Sequence, residues 1–297
     1  MGKTCIDNRC VVVYGSGGYG RYILPQVKSK YPEKTFFYTD GNPSLWGTDI
    51  DGIPVMSPES ALKEKDVFVV IASVQGFRNI RKRLLDEFGI PETSIDDSFS
   101  KDMYERTFGV RNEFLRFFAN IVYRQKLKGN CAEGGVFEGD FSAVINRCFP
   151  DRKLYLFDTF SGFDARNLQK ESNFTSTRTE GFNIEQFTEE KLLSKMEHPE
   201  NIIIRKGFFP ETAAGLSDEF IFVNLDFDLY EPTLSGLNFF YPKMKKGGVI
   251  LVHDYFASEL SKGYAFDKVR PAVDEFCSSN GISSCPIGDR LSIAITK

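Results

Sequence analysis

The sequence has no excess of positive charge: 37 Lys and Arg against 41 Asp and Glu leave a net charge of −4 over 297 residues. Nucleic-acid binding needs a basic face to neutralise phosphates, so that class is set aside. No apolar run approaches the roughly 20 residues that span a bilayer, which argues against a helical membrane protein. No secretory leader is evident at the N-terminus. The six cysteines (Cys5, Cys10, Cys131, Cys148, Cys277 and Cys285) include no CxxC or CxxH pair. They read as reduced, mostly buried thiols, and the chain as cytoplasmic. Histidine is scarcer, at two residues. His198, in MEHPEN, reads as surface loop. His253 ends an apolar strand, where a hydrogen-bonded structural role is the ordinary reading.

What is present is the composition of a soluble globular protein, 41% hydrophobic and 26% charged, with length enough for two domains. The pattern is α/β, with two tandem Rossmann-like domains expected over residues 1–97 and 98–297. In the first, RCVVVYGSGGYG (Arg9–Gly20) is an apolar strand, a Gly15-x-Gly17-x-x-Gly20 turn that also holds Gly18, and a helix to about Lys30. A second strand, Thr35–Thr39, ends in Asp40, placed as the acidic partner of that turn. Val67–Ala72 is a third buried strand, and Phe77–Phe88 has helical spacing. The polar, proline-broken segment Pro91–Asp102 reads as the domain boundary.

The second half repeats the theme with more chemistry attached. NCAEGGVFEGD (Asn130–Asp140) reads as a strand, a glycine turn and a helix start, with Glu133, Gly135 and Gly139 where a nucleotide-like cofactor needs open backbone. KLYLFDTFSGF (Lys153–Phe163) is a strand ending in Asp158, the position that holds ribose hydroxyls in such sheets. IFVNLDFDLY (Ile221–Tyr230) and GGVILVHDYF (Gly247–Phe256) bring Asp226, Asp228, His253 and Asp254 to the carboxyl ends of two strands. Those strands are expected to be neighbours, and ligands bind at that edge of an open α/β sheet. The polar stretch Ser161–Glu180 is long for a connector and reads as a binding loop or lid. Near the C-terminus, Val269–Phe276 reads as helix, with strands at Ile282–Pro286 and Leu291–Thr296.

Taken together, EGGVFEGD, LFDTFSGF, NLDFDLYEPTLSGL, KMKKGGVILVHDYF and VRPAVDEF resemble the TylF/macrocin O-methyltransferase family. The resemblance implies a class I fold with a closing antiparallel hairpin, S-adenosylmethionine as methyl donor, and a sugar or nucleotide-sugar hydroxyl as acceptor. It implies cofactor contacts from Glu133, Gly134, Gly135, Gly139, Asp158, Thr159 and Phe160. A divalent cation, Mg²⁺ or Mn²⁺, would lower the hydroxyl's pKa and orient it. Asp226 and Asp254 suit such an ion, and His253 either completes the site, preferring a metal softer than Mg²⁺, or acts as general base. Asp226 and His253 are thus the catalytic candidates, and Asp226, His253 and Asp254 the metal candidates. The best-known family members carry two adjacent aspartates where this chain has His253-Asp254.

The run DGNPSLWGTDIDGIPV (Asp40–Val55) resembles the nucleotide-sugar-binding domain of PglD-like sugar acyltransferases. It makes Gly15, Gly17, Gly18, Gly20 and Asp40 candidates for binding the nucleotide part of a sugar substrate. Two competing readings stay open. One is a nucleotide-sugar oxidoreductase using the first glycine turn, although no Tyr-x-x-x-Lys pair follows its sheet. The other is a non-catalytic binding protein. A homo-oligomer is compatible with each.

Overall fold

The computed structural model describes residues 10–63, 67–168, 188–257 and 268–297. The chain divides into two compact units, Met1–Arg106 and Thr107–Lys297. No helix among the described residues is long and apolar enough to cross a membrane.

The strands of the first unit are β1 (Cys10–Tyr14), β2 (Phe36–Thr39), β3 (Asp49–Ile50), β4 (Ile53–Met56), β5 (Val67–Ile71) and β6 (Ile95–Asp96). They form one sheet in the order β3-β4-β2-β1-β5-β6, parallel except for the β3–β4 pair. β1 shows why these strands read as unbroken apolar runs. Val11 and Val13 join a core with Ile23, Val27 and Tyr38 on one face. Val12 and Tyr14 join Val69, Ile71 and Leu84 on the other. A parallel strand covered on both faces has no polar side to show.

The segment expected as a boundary is built into this unit. β6 pairs with β5, and the helix Ser98–Tyr104 follows it. Tyr31 Oη and Lys30 Nζ donate to Asp96 at 2.7 and 2.8 Å, while Ser100 Oγ donates to the Ile71 carbonyl at 2.6 Å. Asp96 and Ser100, two of the polar residues that suggested a boundary, are therefore buried hydrogen-bonding groups. A two-residue strand is also too short to leave an apolar period.

The second unit holds β7 (Asn130–Gly134), β8 (Leu154–Asp158), β9 (Ile202–Lys206), β10 (Phe220–Leu225), β11 (Met244–Val252), β12 (Ser284–Pro286) and β13 (Ile293–Thr296). Their order is β12-β13-β11-β10-β7-β8-β9. All pairs are parallel except those made by β13 with β11 and β12, which form the expected closing hairpin. Phenylalanines fill both faces: Phe157, Phe220 and Phe240 on one, Phe118, Phe149 and Phe222 on the other. From β7 the chain runs outward through β8 and β9, then crosses back to β10. The carboxyl ends of β7 and β10 therefore flank the point where strand order reverses, and the crevice of an open α/β sheet forms there.

Candidate active site

Glycine makes the close approach at that crevice. Gly135 N donates to the Phe157 carbonyl at 2.9 Å, and Asp226 N donates to that of Gly134 at 2.7 Å. Gly135 sits at φ +78°, and a Cβ there would stand 1.9 Å from the Asp226 carbonyl oxygen. Only glycine lets the two strand ends meet. Gly139, also left-handed, caps the helix Asp140–Cys148. Its Cβ would strike Leu192, so its role is packing. Asp158 braces the turn: its carboxylate accepts the N–H groups of Val136 at 2.7 Å, Phe137 at 3.2 Å and Phe160 at 2.8 Å.

A cleft of about 160 Å³ opens here. Gly135, Asp158, Thr159 and Phe160 line it, together with Asp226 and Asp228. Half of the remaining wall is aromatic: Phe137, Phe157, Phe163, Phe208, Phe209 and Phe227. Ring faces of this kind stack a purine and attract a cation such as a sulfonium. Glu133, Gly134 and Gly139 do not line the cleft. Gly134 lies against the Phe227 ring. Glu133 is 2% exposed and turns inward, where it accepts from Ser142 Oγ and, at 2.9 Å, from Asn224 Nδ2. Burial pushes its carboxyl up to about 8, despite the opposing pull of Ser142, Arg111 and Asn224. It is a protonated pin between β7, β10 and the helix after the turn. The lid expected over Ser161–Glu180 is described only as far as the helix Ala165–Leu168; residues 169–187 lie outside the described residues.

Beside the cleft, β10 and β11 deliver their terminal acids to one place. His253 N donates to the Leu225 carbonyl at 2.9 Å, fixing the two strand ends level. His253 Nδ1 is then 3.1 Å from Asp226 Oδ1 and 3.2 Å from Asp254 Oδ1. The His253 ring stacks at 6.2 Å on Phe108. Arg111, from the helix Val110–Arg124, closes the far side with Nη1 at 3.1 Å from Asp226 Oδ2. Its guanidinium lies 4.1 Å over the Phe141 ring.

Burial alone would lower the His253 pKa, but Asp226 and Asp254 overcome it and hold the imidazole up to about 10. Burial would likewise raise Asp226, yet His253 and Arg111 bring it down to about 2. Asp228 is driven well up, by burial first and then by Asp254 and Asp226. Asp228 and Asp254 both occupy left-handed backbone, at φ +66° and +58°. Non-glycine residues seldom hold that conformation unless their surroundings impose it.

The model of the macrocin-O-methyltransferase (TylF) family matches residues 90–289, about two-thirds of the chain. This chain belongs to that family. It is an O-methyltransferase, and its methyl donor is S-adenosylmethionine. A curated relative from Streptomyces olivaceus, an 8-demethyl-8-(2,3-dimethoxy-alpha-L-rhamnosyl)-tetracenomycin-C 4'-O-methyltransferase, is 24% identical over 190 residues, covering 60% of this chain and 69% of the relative. Among solved structures, the calicheamicin methyltransferase CalS11 superposes with a TM-score of 0.51 at 17% identity, over 75% of this chain and 91% of its own. The O-methyltransferase NovP gives 0.50 at 22% identity, over 63% and 79%. These likenesses establish the class I methyltransferase fold of the second unit.

In this TylF-family methyltransferase the ligand atoms of Asp226, His253 and Asp254 lie within 4.8 Å of one another. His253 Nδ1 and Asp254 Oδ1 are buried, and neither is in line for a hydrogen bond with any described residue. Three donors converging without satisfying one another fit a divalent cation better than they fit a closed hydrogen-bond network. Sequence reasoning missed Arg111 and the aromatic wall. An arginine on a helix far from the motifs carries no local signal, and a phenylalanine lining a cleft looks in sequence like one in the core.

The first unit repeats the turn without the cluster. Gly15 is at φ +115°, and its Cβ would meet the Ala72 carbonyl at 2.5 Å. Asp40 Oδ2 accepts from both N and Oγ of Ser16 at 2.8 Å, and Oδ1 accepts from Asn42 N at 3.0 Å. Gly20 packs on the Gly15 carbonyl, while a Cβ at Gly17 or Gly18 would meet no described atom within 4 Å.

Proposed function

We propose that this methyltransferase transfers a methyl group from S-adenosylmethionine to a sugar hydroxyl, with Asp226, His253 and Asp254 holding a divalent cation at the acceptor. The observation that carries this reading is the joining of two features at one sheet edge. An aromatic cleft beside the Gly135 turn adjoins a three-donor cluster whose Nδ1 and Oδ1 atoms have no hydrogen-bond partner among the described residues.

The donor's purine and sulfonium fit the phenylalanine wall, with Gly135, Asp158, Thr159 and Phe160 along its border. A bound dication would lower the pKa of the acceptor hydroxyl and fix its orientation. The protein's part is then alignment and proton removal. Of the two roles open to His253, ligand suits its position better than base: it is buried, outside the cleft lining and wedged between two carboxylates. Asp228 does line the cleft, which makes it the carboxylate placed to take the hydroxyl proton. Asp226, held by Arg111 and facing His253, positions the ion. The name of the Streptomyces relative, a rhamnosyl 4'-O-methyltransferase, supports a sugar acceptor.

For the first unit we propose a nucleotide-binding role for Gly15, Gly17, Gly18, Gly20 and Asp40, as in PglD-like domains. The open backbone at Gly17 and Gly18 supports it, as does the helix Gly18–Lys30, which starts with no side-chain cap. Phosphate binds readily to such free N–H groups.

The test is mass spectrometry of nucleotide-sugar and glycoside acceptors incubated with the full chain and deuteromethyl-labelled S-adenosylmethionine, with and without a chelator. A labelled sugar ether that forms only when the dication is present is the expected result. Label found on phenols but on no sugar would overturn the acceptor class, and transfer that survives thorough chelation would overturn the metal.

A further inference from the structure

The donor set at the sheet edge bears on which dication binds, a question that rests on the reading that a metal binds there at all. Asp226 is not free to chelate with both oxygens. Its Oδ2 is engaged by Arg111 Nη1 at 3.1 Å, leaving Oδ1 to face His253. Arg111 is itself 5% exposed and held over the Phe141 ring, so it cannot easily swing away. Asp254 presents one unpartnered oxygen, Oδ1. The third donor is an imidazole nitrogen whose ring is held in plane by stacking on Phe108.

We infer that Asp226, His253 and Asp254 form a centre selective for a first-row transition-metal dication over Mg²⁺, bound through one imidazole nitrogen and oxygens of the two carboxylates. Mg²⁺ favours an all-oxygen octahedron and takes imidazole poorly. First-row transition ions bind nitrogen more strongly, in the order that rises from Mn²⁺ through Fe²⁺ and Co²⁺. The Arg111 cation works in the same direction. It offsets part of the negative charge that would otherwise attract a hard ion, so the bond to nitrogen carries more of the selectivity. Calcium, which needs six to eight oxygens and often a bidentate carboxylate, is disfavoured by the same two features.

The test uses the full chain stripped of metal. Free Mn²⁺ is followed by its electron paramagnetic resonance signal, and Mg²⁺ is titrated in as competitor. Mn²⁺, the weakest nitrogen binder of that series, should still be held more tightly than Mg²⁺, and His253→Asp should bring the ratio towards one. Spin-echo envelope modulation of the Mn²⁺-loaded protein should show a directly bound nitrogen, and labelling histidine with ¹⁵N should change that pattern. The labelled wild-type protein decides the question even if His253→Asp fails to fold. Bound Mn²⁺ without a nitrogen signature would overturn this inference and leave the metal reading standing, as would displacement by equal Mg²⁺. No loss of the free Mn²⁺ signal in the wild type would overturn both.

Discussion

In the first unit the glycine turn packs on the carbonyl of Ala72; in the second it packs on that of Asp226. The surroundings match position by position. Gly15 and Gly135 each follow a buried strand at positive φ. Each turn is braced by an aspartate ending the neighbouring strand, Asp40 through Ser16 and Asp158 through Val136 and Phe137. The strand on the other side makes the difference. β5 runs on into Ala72 and Ser73, whose N–H is satisfied by Ser100 Oγ at 3.1 Å. β10 runs on into Asp226 and Asp228, beside His253 and Asp254 from β11. A glycine turn with its bracing acid is a backbone device that either unit can carry. Chemistry depends on what the adjacent strand ends in.

The largest expected effect tests the shared backbone plan. Gly135→Ala places a Cβ against the Asp226 carbonyl in a conformation that costs about 1–3 kcal/mol by its dihedrals alone. Thermal unfolding should show a clear loss of stability, and Gly15→Ala should do the same to the first unit. A near-neutral result at either position would break the parallel. The next effect separates the units. Asp226→Asn should lower kcat by roughly 100-fold or more, as expected for a lost metal ligand. Asp40→Asn, assayed alongside with the same acceptor, should leave kcat nearly unchanged, and an equal loss from both would erase the distinction.

Smaller effects sharpen the comparison. Asp158→Ala removes hydrogen bonds to the cofactor-side turn, and calorimetry should record S-adenosylmethionine affinity weaker by about tenfold to a hundredfold. Unchanged affinity in a folded variant would place the donor elsewhere. The smallest effect concerns Glu133, which has no counterpart in the first turn. Folded, it keeps its proton up to about pH 8, against an ordinary value of 4.5. Between those values the folded chain holds the extra proton, so stability should fall as pH rises, by at most about 1.4 kcal/mol per pH unit. Glu133→Gln should flatten that slope in denaturant titrations at several pH values, and an unaltered slope would assign it to another group.

Much of this architecture is written in local pattern. Buried parallel strands are apolar on both faces, glycines mark the turns, and an acid ends the strand after each turn, so the cores of both sheets and the edge where the polar strand ends gather were legible. Asp226, His253 and Asp254 were recognisable because strand ends in an open α/β sheet collect at one edge. Other features depended on contacts between residues distant in sequence. Arg111 lies 115 residues from the carboxylate it restrains, and no spacing rule connects them. Glu133 sits in the same motif as Gly135, yet one side chain turns into the core while the other residue borders the cleft. That outcome depends on Ser142 and Asn224 being there to receive the carboxyl. The polar stretch Pro91–Asp102 reads as a domain boundary until Tyr31, Lys30 and Ile71 supply partners for Asp96 and Ser100. Sequence by itself determined the longer buried strands, the glycine turns and which residue types reach the sheet's edge, because those follow from local periodicity and backbone sterics. Only the tertiary structure decided which polar groups are satisfied and which are left facing an open centre, because hydrogen bonds and burial are properties of neighbours in space.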